Sequence, residues 1–205
     1  MINYTLHSTQ AKTLGGVGAI LVLLSAVPTV GAILGIIGFV MILVAVKYIA
    51  DDLGDRKIFG DMMKAVAVAI FGIAIGSIVV VGTILSAFQN GYFTTNFVPS
   101  STVTTAQWIT FGTEIGLGLL GAWVFFLVSA IFLRRSYTVI GSKLNVKMFH
   151  TAGTFYLIGA AAAIVGVGFL LIFVAEILTL VAFFSIPEAQ QQQHFAVPAA
   201  APPSA

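Results

Sequence analysis

The sequence predicts an all-α fold, a polytopic transmembrane helical bundle with six spans. Its mean hydropathy is +1.08, and 59% of its residues are apolar while only 8% are charged. A soluble domain contains about 45–50% apolar and about 25% charged residues. The apolar residues are also collected into long stretches with at most one charge, at residues 14–46, 65–113 and 151–187. These observations indicate a chain that lies largely within a lipid bilayer.

The first apolar stretch is too long for one upright helix. Residues 14–46 would extend about 50 Å at 1.5 Å per residue, whereas the bilayer core is about 30 Å thick. The stretch contains AVPTVGAILG, in which Pro28 lacks a backbone donor and Gly31 permits a turn. We therefore expect a hairpin of two short helices, over about 12–27 and 30–49. A single long, kinked and tilted helix is the alternative, because membrane helices tolerate proline.

Two single spans and a second hairpin complete the predicted bundle. Residues 65–88 and 108–133 each fit the length of about 20 residues that one crossing helix needs. The last stretch, 151–186, is again too long for one span and contains Gly166 and Gly168 near its middle. We expect it to form a helical hairpin, and four or five spans is the alternative count.

An internal repeat supports a break in both end segments. When the N-terminal segment is moved forward by 137 positions, Val30 and Gly31 align with Val167 and Gly168. Internal repeats are common in membrane folds. The repeat places the turn at the same point of both segments, so it predicts two similar hairpins.

Lysine and arginine predict the orientation of the loops. Residues 47–64 contain eight of the sixteen charged residues, while the loop at 89–107 has no charge. By the positive-inside rule, both basic loops and the N-terminus, which carries Lys12, are cytoplasmic and loop 89–107 is external. The loop after the fourth span carries four basic residues and no acid, namely Arg134, Arg135, Lys143 and Lys147.

Aromatic residues near the ends of the predicted spans fit interfacial belts. Trp and Tyr prefer the level of the lipid headgroups, where one end of the ring is apolar and the other is wet. Trp108, Tyr92 and Phe93 would form an outer belt, and Tyr48 and Tyr137 an inner one.

The charged segment 47–64 is predicted to be a solvated cytoplasmic connector that is partly helical. Its charges balance, and several opposite charges are spaced by one helical turn, as in Asp52 with Arg56 and Lys57 with Asp61. Carboxylates could bind a hard cation, but the neighbouring Arg56 and Lys57 would compete with it. No spacing typical of a metal site is present. The residues of this charged loop are Asp51, Asp52, Asp55, Arg56, Lys57 and Asp61.

Glu114 and Glu176 are predicted to lie well inside spans. An ionised acid at the centre of a bilayer costs at least about 2.5–3.5 kcal/mol, and no Lys or Arg lies within the predicted spans to pair with either residue. We therefore expect neutral acids that donate hydrogen bonds. They could form a relay for protons or cations, supported weakly by Thr110 and Thr113 beside Glu114 and by Thr179 beside Glu176. They could instead hold helices together by hydrogen bonds. The isolation of each acid from other polar residues favours this second interpretation.

Three pairs of glycines, each four residues apart, predict close helix contacts. Small residues at this spacing let backbones approach, which drives association where lipid gives no hydrophobic incentive. The contacts could lie within this chain or with another subunit. The pairs are Gly31 with Gly35, Gly72 with Gly76, and Gly112 with Gly116.

The sequence predicts no cofactor, no metal and no catalytic site. The absence of cysteine excludes disulfides, thiolate catalysis and Cys-ligated iron–sulfur or zinc sites. His150 begins the fifth span, and His7 and His194 lie in the terminal segments, so none is placed to bind a haem inside the bundle. A net charge of +2, set by two short loops, does not indicate nucleic-acid binding.

Three segments resemble an archaeal membrane family catalogued as domain of unknown function 996. They are VKYIADDLGDRKIFGD, the glycine-spaced LGGVGAILVLL…GAILGIIGFVMILVAVK before it, and the closing GVGFLLIFVAEILTLVAFFSIPE. The resemblance covers roughly residues 12–187. It implies an archaeal cell-membrane protein, but it implies no activity, because the family has none assigned, and no functional residue can be transferred.

The function that the sequence favours is a non-catalytic structural or accessory subunit of a larger membrane assembly. Its glycine-rich helix faces would pack against other subunits or a second copy. The alternative is a small proton- or cation-linked transporter or channel that uses Glu114 and Glu176. An intramembrane enzyme has no support beyond those two carboxylates. We expect one transmembrane domain over residues 1–187 and a flexible Gln/Ala/Pro-rich tail over 188–205.

The predicted orientation can be tested by cysteine labelling, because the natural chain contains no cysteine. A cysteine introduced at Ser101 should react with a membrane-impermeant thiol reagent applied to intact cells. One introduced at Ser142 should react only after the cells are opened. The reverse pattern, or equal labelling of both positions, would contradict the orientation.

Overall fold

The described part of the chain folds as six α-helices, in agreement with the predicted all-α class. The structure, a computed structural model, describes residues 4–93 and 98–187. The predicted tail at 188–205 lies outside these residues. Two short 3₁₀ turns, Leu24–Ala26 and Ala163–Val165, follow the first and the fifth helix. The helices are α1 (Tyr4–Leu23), α2 (Gly31–Asp52), α3 (Arg56–Gln89), α4 (Thr105–Leu144), α5 (Lys147–Ala162) and α6 (Gly168–Phe184).

The helices are arranged as hairpin, long pair and hairpin, the predicted order. Helix α1 packs on α2, α3 on α4, and α5 on α6, while α4 also contacts α5 and α1 contacts α6. The two hairpins therefore meet each other as well as the long pair. Five helices are long and apolar enough to cross a membrane, and α6 is a shorter apolar helix of 17 residues. The protein is a multi-pass membrane protein.

Both hairpins turn at positions related by the internal repeat. Thr29 has a φ of 75° and Gly166 has a φ of 82°, and these residues are 137 positions apart. The following helices, α2 and α6, begin at Gly31 and Gly168, which have the same separation. The predicted repeat is thus present in the backbone, and the single long kinked helix is wrong for the N-terminal segment.

Glycines bring the two legs of each hairpin into backbone contact. A Cβ atom at Gly18 of α1 would lie only 2.7 Å from the Gly38 carbonyl oxygen of α2. A Cβ atom at Gly159 of α5 would lie 3.0 Å from the Gly168 carbonyl oxygen of α6. Any larger residue would push these legs apart. The close approach is the arrangement expected of small residues in membrane helices.

The middle helices are longer than the predicted spans. Helix α3 has 34 residues and α4 has 40, because both continue through charged sequence beyond the predicted ranges 65–88 and 108–133. Their ends are capped locally. The Asp55 carboxylate accepts a hydrogen bond from the Lys57 backbone N–H at 3.0 Å, and Thr104 with Gln107 forms a capping box.

The predicted connector at 47–64 is more helical than expected. The helix break is confined to residues 53–55, where Gly54 has a φ of 62°. Asp52 and Arg56 therefore lie on different helices, and the prediction that they are one helical turn apart is wrong. Asp61 forms an ion pair with Lys64 at 3.1 Å.

An ion pair joins the two basic loops. The Lys143 ammonium lies 2.8 Å from the Asp55 carboxylate, so the α2–α3 and α4–α5 connections lie at the same end of the bundle. The hydrogen bond from Lys143 and that from the Lys57 backbone hold the pKa of Asp55 below its ordinary value of 3.8. We call this end of the molecule the basic end.

The largest buried cluster of side chains lies towards the basic end, where all six helices contribute. Tyr137 is only 1% exposed, and the ring of Phe149 lies 5.6 Å from it and 5.1 Å from Phe183. The prediction that Tyr137 lies in an interfacial belt is therefore wrong, because the face of α4 that carries it points into the bundle. Residues of the cluster include Ala11, Ala45, Ile49, Ile58, Met62, Tyr137, Ile140, Phe149, Ala152, Ala182 and Phe183.

The predicted outer aromatic residues pack together at the opposite end. The ring of Trp108 lies 5.8 Å from Tyr92 and 5.4 Å from Phe93. Phe111 joins the same cluster, 5.9 Å from Trp108. This packing ties the end of α3 to the start of α4.

The ion pair between Asp55 and Lys143 should make a small, pH-dependent contribution to stability. Because the pKa of folded Asp55 is lowered, the contribution is present above about pH 3.8 and disappears as pH falls through the folded value. Asp55→Asn keeps a cap for the Lys57 N–H but removes the charge. We expect a lower unfolding midpoint than that of the natural protein at about pH 7, and this difference should shrink as the pH falls below about 3.8.

Lys143→Gln is the matched control for this experiment. It should lower the midpoint at neutral pH by a similar amount, and the double variant should be no less stable than either single variant. A difference between Asp55→Asn and the natural protein that persists undiminished at acid pH would contradict the ion-pair explanation.

Candidate functional site

A partly open cavity of about 250 Å³ lies between α2, α3, α4, α5 and α6. Most of its walls are apolar, formed by residues such as Phe39, Met62 and Phe126. Four polar side chains also line it, namely Ser129, Tyr137, Tyr156 and Glu176. A mainly apolar cavity with a few convergent polar groups is the usual form of a small-ligand site.

Glu176 enters the cavity from α6, and the fold of the second hairpin sets its position. The contact of Gly159 with Gly168 fixes the start of α6 against α5, and Glu176 follows Gly168 by about two helical turns. On either side of it along the helix, Ala175 and Thr179 are fully buried in the bundle. The glutamate is thereby held on the inner face of α6.

The Glu176 carboxyl group is incompletely satisfied. Its Oε2 atom is buried and has no hydrogen-bond partner among the described residues. The Tyr156 side chain is within reach of the carboxyl group, and Tyr156 and Tyr137 both approach Thr179. Buried polar atoms without a partner are uncommon in folded proteins and indicate strain, a functional group, or a bound water or ion.

No cation lies in the walls of the cavity. Its lining residues, among those that the structure describes, include no Lys, Arg or His, so an ionised Glu176 would lack a counter-charge from them. The volume admits a few water molecules at about 30 Å³ each, or one small cation with some of its waters. Carboxylate and hydroxyl oxygens are the ligands that hard cations prefer. The site can therefore hold a proton on Glu176 or a small cation beside it.

Hydrogen bonds between side chains and backbone hold the cavity walls together. Ser129 Oγ donates to the Ala65 carbonyl at 2.8 Å, which ties α4 to α3. Trp123 Nε1 donates to the Ala160 carbonyl at 2.9 Å, which ties α4 to α5. The first of these bonds uses the hydroxyl proton of Ser129 but leaves its oxygen able to accept another hydrogen bond.

Glu114 does not belong to this cavity. Glu114 is exposed on the half of α4 that is away from the basic end. It lines an open groove between α3 and α4 with Thr83 and Ser86. The hydroxyl groups of the predicted threonine partners donate within their own helices, Thr113 to Ile109 at 2.8 Å and Thr179 to Ala175 at 2.9 Å. The two acids therefore occupy separate sites.

The predicted glycine pairs have three different surroundings. Gly72 and Gly76 of α3 face α4, where a Cβ atom at Gly76 would lie 2.8 Å from the Ala122 Cβ. Gly31 and Gly35 lie against Ser25 of the first turn. Gly112 and Gly116 of α4 face open space, with no atom of the described chain within 4 Å of an added Cβ.

The six residues of the predicted charged loop all lie at the basic end, away from the cavity. Within the described ranges, no group of three or more Asp, Glu or His side chains is arranged to hold a metal ion. His150 lies at the start of α5, on the surface of the bundle. The side chains of His7 and His194 lie outside those that the structure describes.

Sequence analysis missed Tyr156 and Ser129 as parts of the site. Tyr156 is the one tyrosine in the apolar stretch 151–187, and a tyrosine inside a span needs a partner for its hydroxyl group. That signal could have paired it with Glu176. Nothing in the sequence marks Ser129, because serine is common in membrane helices.

Residues 34–177 match the family described as "Protein of unknown function (DUF996)". This chain belongs to that family. The matched range contains every residue that lines the Glu176 cavity, from Phe39 to Glu176. An uncharacterised protein of the archaeon Methanocaldococcus jannaschii is 32% identical over 183 residues, which cover 87% of this chain and 93% of the relative. No solved structure matches the chain.

The resemblance to DUF996 is thus confirmed, together with a relative in an archaeon. The family match begins at residue 34, inside α2, so the first hairpin leg lies outside it, although the alignment with the archaeal relative covers most of the chain. Membership of DUF996 brings no activity with it. The function must be argued from the cavity itself.

Proposed function

We propose that this DUF996 protein is a small membrane transporter that couples movement of a solute to a proton or small cation bound at Glu176. The observation that carries the proposal is the buried Oε2 atom of Glu176, which lacks a partner in a cavity large enough for a ligand. Ionisable residues within membrane spans are unusual and typically mark ion or substrate pathways.

The physical basis is the exchange of charge at one buried carboxyl group. An ionised Glu176 is unfavourable in apolar surroundings without a counter-ion. Binding of a proton or of a small cation removes that penalty. The stability of the helix packing around Glu176 therefore depends on whether the site is occupied. Tyr156 and Tyr137 also line the cavity, and their hydroxyl groups are further oxygen atoms available there.

The repeated hairpins also favour transport. Many secondary transporters are built from internal repeats and bind their coupling ion near the centre of the bundle, where two such units meet. Here the repeated hairpins contact each other through α1 and α6, and α6 carries Glu176. A tilt of one hairpin against the long α3–α4 pair would alter access to the cavity.

The orientation that accompanies this proposal places the basic end in the cytoplasm. Both basic loops lie at that end, joined by Asp55 and Lys143, and positively charged loops remain on the cytoplasmic side during insertion. The connection between α3 and α4 is then external.

A second candidate function is the accessory subunit, and the open face of α4 favours it. Gly112 and Gly116 lie four residues apart and have no atom of the described chain within 4 Å of an added Cβ. Such a face allows a helix of another subunit to approach closely. A defined larger complex that is lost in Gly112→Leu would favour this function over transport.

The transport proposal is tested at Glu176 in proteoliposomes. Glu176→Gln keeps the size of the side chain but cannot take up a proton or neutralise a cation. A pH gradient or a Na⁺ gradient should drive a flux through the natural protein, and this flux is followed with a dye inside the liposomes. We expect Glu176→Gln to reduce the flux to the level of empty liposomes. A hydrophobic carbodiimide should also modify the natural protein at Glu176, and Na⁺ or alkaline pH should slow that modification.

Glu114→Gln is the control, because it removes an acid from outside the cavity. This variant should retain both the flux and the labelling of Glu176. Flux at the natural level in Glu176→Gln, or carbodiimide labelling of Glu114 in preference to Glu176, would overturn the proposal.

A further inference from the structure

A second concave surface lies at the basic end, on the outside of the bundle. It is a groove of about 570 Å³ that follows α4 and is bordered by Asp61 of α3 on one side and by α5 on the other. Its polar lining includes Arg134, Arg135, Thr138 and His150. No residue of the groove belongs to the Glu176 cavity.

Helical spacing brings the lining residues together. Ile131, Arg134, Arg135 and Thr138 recur at intervals of three and four along α4, so they form one face of that helix. On α5, His150 and Leu157 are two helical turns apart and border the same groove. The groove is therefore about 10 Å long in the direction of the helices.

The groove carries a surplus of positive charge. Its single acid, Asp61, is already paired with Lys64 at 3.1 Å. Neither Arg134 nor Arg135 forms an ion pair with a described residue. The Arg135 guanidinium lies 5.7 Å from the centre of the Phe132 ring, which restricts its orientation. Two guanidinium groups without an acidic partner in the described part of the chain are available to an anion.

The two ends of the groove differ in polarity. Ile131 precedes the arginines on α4, and Leu157 lies further along α5 than His150, so both apolar residues are on the side away from the basic end. The arginines lie where α4 passes from the charge-free sequence 115–133 into charged sequence. The groove thus offers cationic donors at the membrane boundary and an apolar wall that continues towards the bilayer.

We propose that this groove binds the phosphate headgroup of an anionic membrane lipid. Guanidinium groups bind phosphate oxygens through paired hydrogen bonds, with the hydroxyl of Thr138 as a further donor. The acyl or isoprenoid chain lies along Ile131 and Leu157. Basic pockets between helices at the cytoplasmic side are suited to such headgroups. This site is independent of transport at Glu176.

Lipid retention measured by native mass spectrometry tests the proposal. The full-length protein is exchanged into nanodiscs that contain phosphatidylglycerol and phosphatidylcholine in equal amounts, and the retained lipids are counted after release. The natural protein should retain phosphatidylglycerol in preference. Each arginine should contribute about fivefold to this preference, which corresponds to about 1 kcal/mol per basic residue near an anionic headgroup. Arg134→Gln with Arg135→Gln should therefore reduce it about thirtyfold.

Two controls separate the groove from general charge and from folding. Lys57→Gln removes a cation of the basic end that lies outside the groove, and it should leave the preference unchanged. Arg134→Lys with Arg135→Lys keeps the charge but loses the paired hydrogen bonds, so it should retain more of the preference than the double glutamine variant and less than the natural protein. An equal loss of phosphatidylglycerol in Lys57→Gln, or full retention in the double glutamine variant, would overturn the proposal.

A soluble competitor distinguishes lipid from free phosphate. Glycerol phosphate at millimolar concentration contains the headgroup phosphate without the chains. It should fail to displace the retained phosphatidylglycerol, because the chain contacts at Ile131 and Leu157 are missing. Complete displacement would show that the groove is a site for soluble phosphate compounds and would overturn the assignment to lipid.

Discussion

In both end hairpins the legs touch through their backbones, at Gly18 with Gly38 and at Gly159 with Gly168. Lipid is as apolar as the helix surfaces, so the hydrophobic effect gives membrane helices little reason to associate. Close backbone approach gives them van der Waals contact instead, and only residues without a side chain allow it. Once each hairpin is closed, α1 and α6 can pack on each other, with Gly15 facing Phe183. The two hairpins and the long pair then form one bundle.

The Glu176 cavity is a consequence of this arrangement. Helix α6 is held at its start by Gly168 and towards its end by Phe183, which is fully buried. Between those points the facing side chains leave a space, and Glu176 lies in it with one oxygen atom unsatisfied. A buried carboxyl oxygen without a partner destabilises a membrane bundle, because the hydrogen bonds that water would give it are not replaced. The transport that we propose depends on this carboxyl group, which the closed second hairpin holds at the cavity.

The sequence predicted the parts of the fold that depend on backbone chemistry and on charge. Pro28, the repeat and the glycines near residue 166 were sufficient for the two hairpins, and the distribution of lysine and arginine placed both basic loops at one end. It could not show which side of a helix faces the bundle. Tyr137 was assigned to the lipid interface for that reason, although it is buried. The ends of α3 and α4 were also missed, because charged residues continue a helix into water without any break in its pattern.

The candidate site could be predicted only in part. Glu114 and Glu176 looked equivalent in sequence, since both are isolated acids within apolar stretches. The difference between them arises from contacts that are distant in the chain, because Glu176 faces residues of α2, α3, α4 and α5 whereas Glu114 faces an open groove. This arrangement follows from the packing of five helices, and no local pattern encodes it.

The dependence of bundle stability on backbone contact within the hairpins is tested most directly by Gly159→Val, with Gly82→Val as the matched control. A Cβ at Gly159 would lie 2.8 Å from the Ile172 side chain and 3.0 Å from the Gly168 carbonyl, whereas Gly82 has no atom within 4 Å. The free energy of unfolding should fall by about 1–3 kcal/mol in Gly159→Val and change by less than about 0.5 kcal/mol in Gly82→Val. Equal stability of the two variants would contradict the view that backbone contact in the hairpins holds the bundle together.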